Sequence, residues 1–333
     1  LAMLVRTDFP SVPETADYWV STAREANPAI AARREALQAS RRSVDAAKAE
    51  HYPQLSLSLQ YSQSNLTYDN LSQRSYNVGS ASLELRIPIY EGGRVNAAEA
   101  NLRAAEATRI AFEVETISRV QQRFYELMRR EAEQKAAEED MSLTKQIRDR
   151  MQIRYDVGET ARFELIRVQT EFLNAQVAAE SSKLRVEQAR SQLRQAVGHQ
   201  LPADFTVATE QPNLEVLPSL AVLLNEVQSQ SPELQKAKAE VEATESKLSF
   251  EKNSRLPRLA FKASQYNDPN FTDRLYGLQV SIPIWDFRGG QVAEAEANAS
   301  KAKNQFNAQS QTLDQQMETA YKLYQMTSYQ VKV

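Results

Sequence analysis

The stretches IPIYEGGRVNAAEA, at residues 87–100, and IPIWDFRGGQVAEAEA, at residues 282–297, decide the fold. Each holds an Ile-Pro-Ile strand end, an aromatic, two glycines and an Ala/Glu-rich run. Upstream of the first, Leu83, Leu85, Ile87 and Ile89 alternate with Ser82, Glu84, Arg86 and Pro88. Period two marks a strand with one apolar and one polar face. Downstream, the run from Arg94 to Asp156 contains neither Pro nor Gly. The corner Pro88, Gly92, Gly93 is therefore expected to turn a strand into a very long helix, and Pro283, Gly289, Gly290 to do so again. Such glycines supply backbone angles that other residues resist. Two of them are too few for a phosphate-binding loop.

The match extends far upstream. Asn27-Pro28 parallels Ser231-Pro232, and Pro53 parallels Pro257. The spacing is about 200 residues, too long for a solenoid repeat, and it reads as duplication of half a domain. In each copy a short helix is restarted by Asn27-Pro28 or Ser231-Pro232, an N-cap followed by Pro at the first helical position. A hairpin follows. Its strands alternate Leu55, Leu57, Leu59 and Tyr61 with Ser56, Ser58 and Gln60, and in the second copy Leu259, Phe261 and Ala263 with Ala260, Lys262 and Ser264. Tyr276, Leu278, Val280 and Ile282 carry the last strand. The polar stretch 64–77 suits a hairpin tip in water. The expected division is a first repeat over 1–203, with hairpin 52–90, long helix 94–156 and return helix 160–197. A linker, 204–218, leads to an incomplete second repeat over 219–333, with hairpin 256–285 and a long helix from 290.

Composition agrees. Only 8 Gly and 12 Pro punctuate 333 residues, so long helices are expected. The net charge is −3, from 40 basic and 43 acidic residues, which gives no reason to expect nucleic acid. Without Cys there are no disulfides or thiolate metal sites. No run is long and apolar enough for a membrane helix. The opening LAMLVRTDFPSVPE has no basic region followed by an apolar core, so a start after a removed segment or part-way through a longer protein is expected.

Length constrains the architecture. The run 94–156 is about 95 Å of helix at 1.5 Å per residue. Ile110, Ile117, Val120, Phe124 and Leu127 form a packing seam at three-and-four spacing, and Ile166, Leu173, Val177 and Leu184 repeat that spacing on the return helix. Four strands with one apolar face cannot close a barrel, and an open sheet would leave unpaired edges in lipid. Several chains are expected to share one barrel.

The duplicated helix–hairpin–helix order, the two corners, the YDVGE turn at 155–159 and the LRQAVG helix end at 193–198 resemble the TolC family of outer-membrane ducts. The resemblance covers essentially the whole chain, and GETARFELIRVQTEFLNAQ, at 158–176, is most similar to the branch serving drug and heavy-metal cation pumps. It implies a mainly α protein with membrane β-structure. Long antiparallel helical hairpins form a periplasmic α-barrel, and two β-hairpins per chain join a trimeric twelve-stranded β-barrel. It further implies a homotrimer in outer-membrane lipid, docked onto a periplasmic adaptor and an inner-membrane pump, as the exit duct of a tripartite efflux system. A type I protein secretion duct of the same family is the alternative within it. The second repeat stops where the first is mid-helix, so a second turn and the family's gate residues are expected outside this chain.

Tyr155, Asp156, Val157, Gly158, Glu159 and Thr160 form the expected adaptor-docking tip. Gly158 ends the descending helix and Thr160 caps the returning one; the bland reading is a tight turn only. Tyr90 and Trp285, at equivalent corners, read as interface aromatics, or else as packing at the junction. An enzyme is disfavoured. The two His, His51 and His199, stand in different elements, and the carboxylates alternate with Lys and Arg along helices as a solvated face. No catalytic, cofactor or metal site is expected. A non-transporting periplasmic adaptor or scaffold remains the rival class. It shares helical hairpins but does not need four two-faced strands.

Overall fold

The computed structural model describes residues 15–68, 71–90, 93–198, 205, 207–208, 217–268, 271–282 and 287–332, with only the backbone at 62–68, 71–78, 90, 268, 271, 331 and 332. In chain order the elements are α1 (Ala16–Ala26), α2 (Pro28–Ala49), β1 (Gln54–Tyr68), β2 (Leu71–Tyr90) and α3 (Arg94–Asp156). Then come α4 (Arg162–Val197), α5 (Leu220–Gln230), α6 (Pro232–Asn253), β3 (Arg258–Asp268), β4 (Phe271–Ser281) and α7 (Gly289–Lys332). Two compact units form, each drawn from two separate stretches of the chain. One spans 1–34 and 111–216, the other 35–110 and 217–333.

The first unit packs α1, α4 and the distal part of α3. Its core is Trp19, Val120, Phe124, Leu127, Val186, Leu193 and Val197, with Phe205 against the Trp19 ring at 4.8 Å. Asn27 caps α2, accepting from the Ala29 amide at 2.9 Å. Arg123 reaches Gln192 at 2.8 Å, Arg190 lies 3.4 Å from Glu131, and Arg148 stacks on Phe172 at 4.3 Å. Partners on α4 fall in number as those on α3 rise, so the pair runs antiparallel.

The seam on α4 is not the one its large side chains mark. Ile166, Leu173, Val177 and Leu184 are 49%, 56%, 69% and 72% exposed. The buried face is instead Leu165, Val168, Ala175, Ala179, Ser182, Val186, Ala189 and Leu193. Small side chains let the two backbones approach, and the large ones are left on the other side.

In the second unit ion pairs order the helices. Arg41–Glu106 and Lys48–Glu99 join α2 to α3, Arg103–Glu242 joins α3 to α6, and Glu245–Lys303 and Lys252–Glu296 join α6 to α7. The order α2-α3-α6-α7 follows that of the antiparallel sheet, β1-β2-β3-β4. Ala100 and Ala104 of α3 meet Ala243 of α6 in an alanine-lined contact. Ser231 occupies the N-cap position before Pro232, but its hydroxyl makes no cap bond; the proline alone sets that start.

The strands outrun their apolar alternation. The ladder continues through Ser64↔Tyr76 to Tyr68↔Leu71, so 64–68 and 71–77 of the polar stretch expected as a hairpin tip are strand. Asn, Gln and Ser pair through the backbone as well as any residue. A register shift between Pro88 and Tyr90 lets Tyr90 pair with Leu259. Ile89 is thereby bulged out of the alternation expected of it.

Candidate functional site

The tip is built by its glycine. The Glu159 amide donates to the Arg154 carbonyl at 2.8 Å, and the Gly158 amide to that of Tyr155 at 3.0 Å. These two bonds, with Gly158 at φ +81°, make a Schellman cap that satisfies the last carbonyls of α3. A Cβ on Gly158 would meet nothing within 4 Å, so conformation, not space, requires glycine. Asp156 accepts from Gln152 at 2.9 Å, and Arg154 lies 3.5 Å from Glu159. Tyr155, Asp156, Val157, Gly158 and Glu159 are exposed and Thr160 half-buried.

Thr160 is not the cap expected of it. Ala161 stands in the N-cap position of α4, with no side-chain cap bond, and its carbonyl accepts from Glu164 at 3.1 Å. The Schellman cap carries the chain one residue farther before α4 can begin. Two exposed apolar residues beside the turn escaped the sequence reading: Ile153, one helical turn before Val157, and Phe163, on the first turn of α4. The i,i+4 spacing of Ile153 and Val157 was the available signal.

The two corners differ. In the first, Pro88 pairs only with Ala260 of β3. The β1 ladder stops at Gln54↔Arg86, so the missing N–H of Pro88 leaves no gap between strands. Gly93 takes φ +87°. Arg94 pairs with Glu50 and lies over Phe250 at 5.8 Å. Gly92 and the side chain of Tyr90 lie outside the described residues.

In the second corner the left-handed residue is Arg288, at φ 51°. Gly289 and Gly290 simply open α7 without positive φ, which corrects the role expected of them. Arg288 is held by Glu251 at 2.5 Å, and Glu251 is only 8% exposed. This ion pair anchors a backbone that glycine was expected to provide. Pro283 and Trp285 lie outside the described residues.

The sheet itself is two-faced. Register aligns Leu57, Leu83 and Gln265, then Leu55, Leu85, Ala263 and Tyr276, then Ile87, Phe261 and Leu278. On the other face Ser56, Glu84 and Ser264 align, next to Gln54, Arg86 and Lys262. Lys262 Nζ sits 3.0 Å from Glu84 Oε2. The apolar face is bare: Leu55, Leu57, Leu59, Tyr276 and Leu278 are 65–76% exposed. Both outer strands, β1 and β4, have one unpaired edge.

Residues 19–199 and 223–332 match the sequence profile described as outer membrane efflux protein. The chain belongs to the outer membrane efflux protein family. It is thus an outer-membrane protein with a periplasmic extension. It is 23% identical over 237 residues to the cobalt-zinc-cadmium resistance protein CzcC of Cupriavidus metallidurans, covering 69% of this chain and 56% of that one. It is 29% identical over 161 residues to protein CyaE of Bordetella pertussis, covering 47% of this chain and 34% of that one. The chain thus spans little more than half, or less, of these relatives' lengths. The solved structure of CusC, described for transmembrane channel formation, superposes with a TM-score of 0.80 at 17% identity, covering 96% of this chain and 78% of that one. That likeness shows the fold of this family member: long helical hairpins with a four-stranded antiparallel sheet.

Proposed function

We propose that the protein is the exit duct of a tripartite efflux system, passively conducting cargo handed over by an inner-membrane pump. The observation that carries this reading is the sheet: one bare apolar face, one polar face and two open edges. A single chain cannot place that sheet in lipid, because unpaired edge groups there cost several kcal/mol each. Copies joining β4 to β1 of the next chain remove the edges, and three copies give a twelve-stranded barrel. Leu55, Leu57, Leu85 and Leu278 then face lipid, and Glu84, Arg86 and Lys262 the lumen, with Tyr90 and Trp285 at the membrane interface.

The exposed stripe Ile166, Leu173, Val177, Leu184 supports the same assembly. Its spacing is that of a coiled-coil seam, and no partner for it is found among the described residues. The repeats 1–203 and 219–333, joined by 204–218, are the units whose duplication supplies two hairpins per chain. The tip, Tyr155 to Thr160, is the docking point for the periplasmic adaptor. Its exposed Val157, with Ile153 and Phe163, offers apolar anchors beside the Arg154–Glu159 pair.

The test has two arms. Membranes of cells expressing the full chain should release a trimer only with detergent; a detergent-free, monodisperse monomer overturns the duct. Val157→Asp with Glu159→Lys should keep the trimer but abolish crosslinking to the adaptor and efflux. Wild-type crosslinking and resistance in that variant reduce the tip to a turn.

A further inference from the structure

We infer that α7 of one copy joins α2 of a second copy of this chain, with Ala297 against Ala39 and an ion pair to each side, Glu294 with Arg42 and Lys301 with Glu35. The inference rests on the duct reading, in which β4 of one copy meets β1 of the next and so sets α7 beside α2. The internal duplication supplies the register. Pro257 follows Pro53 by 204 residues, before the hairpins, and Asn298 follows Asn101 by 197, after them. The ion pairs obey both spacings. Lys48–Glu99, at 3.3 Å, is repeated as Lys252–Glu296, at 2.9 Å. Arg41–Glu106 is repeated as Glu245–Lys303, with the charges exchanged. The pair α2–α3 thus recurs as α6–α7, position for position.

The contact of α3 with α6 then has its repeat where α7 meets the next copy's α2. In the chain Ala100 and Ala104 meet Ala243 there, with Ala239 packed against them. The two spacings carry Ala100 to Ala297 and Ala243 to Ala39. They carry Ala104 and Ala239 to Lys301 and Glu35, and Ala97 and Ser246 to Glu294 and Arg42. Neutral rows inside the chain are rows of opposite charge between copies. The reverse holds for Arg103–Glu242, at 2.6 Å, whose repeat is Ser300 and Gln38.

Both faces stand open in the single chain. Glu294, Ala297 and Lys301 are exposed, on the side of α7 opposite the buried Val292, Ala295 and Ala299. Glu35, Ala39 and Arg42 are exposed opposite the buried Leu37 and Val44 of α2. Three-and-four spacing aligns each set on one helix face. From Gln291 to Asn304 the other charges of α7, Glu296 and Lys303, are paired with α6. From Glu35 to Ala49 the others on α2 are Arg41 and Lys48, paired with α3, and Asp45, 3.4 Å from Arg42. Neither Glu35, Glu294 nor Lys301 has an ion pair among the described residues. Exposed pairs add little affinity, but complementary charge fixes register and rejects wrong partners. A mismatched joint of α3 with the next copy's α2 would set Arg103 beside Gln38 and leave Glu35 facing alanine.

The chain has no Cys, so paired cysteines report the joint. Full-length trimer carrying Ala39→Cys with Ala297→Cys should form covalent dimers and trimers with a short bis-maleimide. Within one chain α3 and α6 lie between the two sites, so each link joins two copies. Ala39→Cys with Asn304→Cys, about 10 Å along α7 from Ala297, should lose most of that linkage. In a cysteine-free arm, Lys301→Glu should lower the temperature at which the trimer separates on gels, and adding Glu35→Lys should restore it. That arm keeps the inference testable if the cysteine variants do not assemble. Equal linkage at both pairs of sites, no linkage at Ala39 and Ala297, or no rescue by Glu35→Lys overturns this joint while leaving the duct intact. A wild-type chain that runs as a detergent-free monomer overturns the duct, and the joint with it.

Discussion

The side-chain amide of Asn27 donates to the main-chain carbonyl of Ala196 at 2.9 Å. The same side chain accepts from the Ala29 amide at 2.9 Å, so one buried residue caps the start of α2 and fastens it to the end of α4. The fit is close. A Cβ on Gly198 would stand 3.3 Å from the Ala26 carbonyl, and Gly198 takes φ +124°.

Asn27 therefore has two separable roles. Asn27→Asp keeps the cap but sets a carboxylate against the Ala196 carbonyl, while Asn27→Ala loses both bonds. Loss of the cap costs about 0.5–2 kcal/mol, and loss of the bond to the half-buried Ala196 carbonyl about 0.5–1.5 kcal/mol more. Both variants should lower the thermal unfolding midpoint. Asn27→Asp should also do so increasingly as its carboxyl ionises. Equal midpoints for wild type and Asn27→Ala would show that the fastening is incidental.

The apolar face of the sheet can be tested at one row. Leu85→Arg, placed near the bilayer midplane, should cost about 2–4 kcal/mol and reduce the amount of folded protein in the outer membrane. Ser82→Arg, on the opposite face, should assemble normally. Equal yields of the two variants would mean that lipid does not cover the leucine face.

The alanine contact between α3 and α6 should resist enlargement. Ala100 is fully buried and Ala104 nearly so, against Ala243. Leu in place of either should overpack by about 1–3 kcal/mol. Asn101→Leu, whose site is exposed, should be neutral. The reading is heat stability of the assembled protein on gels, and unaltered stability in Ala104→Leu refutes close packing there.

Glu131 gives stability a slope with pH. Burial raises its carboxyl above the ordinary 4.5, and Arg190 only partly opposes that. The folded state then binds the proton more tightly than the unfolded one. Its contribution is fully present below the unfolded pKa and is lost as pH rises through the folded pKa. Glu131→Gln, neutral throughout, should lack this fall as pH rises above the ordinary 4.5. Parallel curves of unfolding midpoint against pH for the two proteins would exclude Glu131 as the source.

The sequence by itself determined the elements. Alternation at Leu55–Tyr61 and Leu83–Ile87, and the absence of Pro and Gly from Arg94 to Asp156, are local facts. Strand pleat and helix persistence depend on neighbours in the chain. Gly158 was legible for the same reason, since a left-handed cap is set by the residue that takes it. Tertiary structure decided which face of each element is buried. On α4 the sequence offers two apolar stripes. The larger one, Leu173 with Val177 and Leu184, is exposed, while Ala175, Ala179 and Val186 are buried; small side chains allow a closer helix approach than large ones. It also decided that Arg288, rather than Gly289 or Gly290, takes the left-handed turn. The Glu251 carboxylate that holds Arg288 there belongs to a helix distant in sequence, and no local pattern could show that pairing.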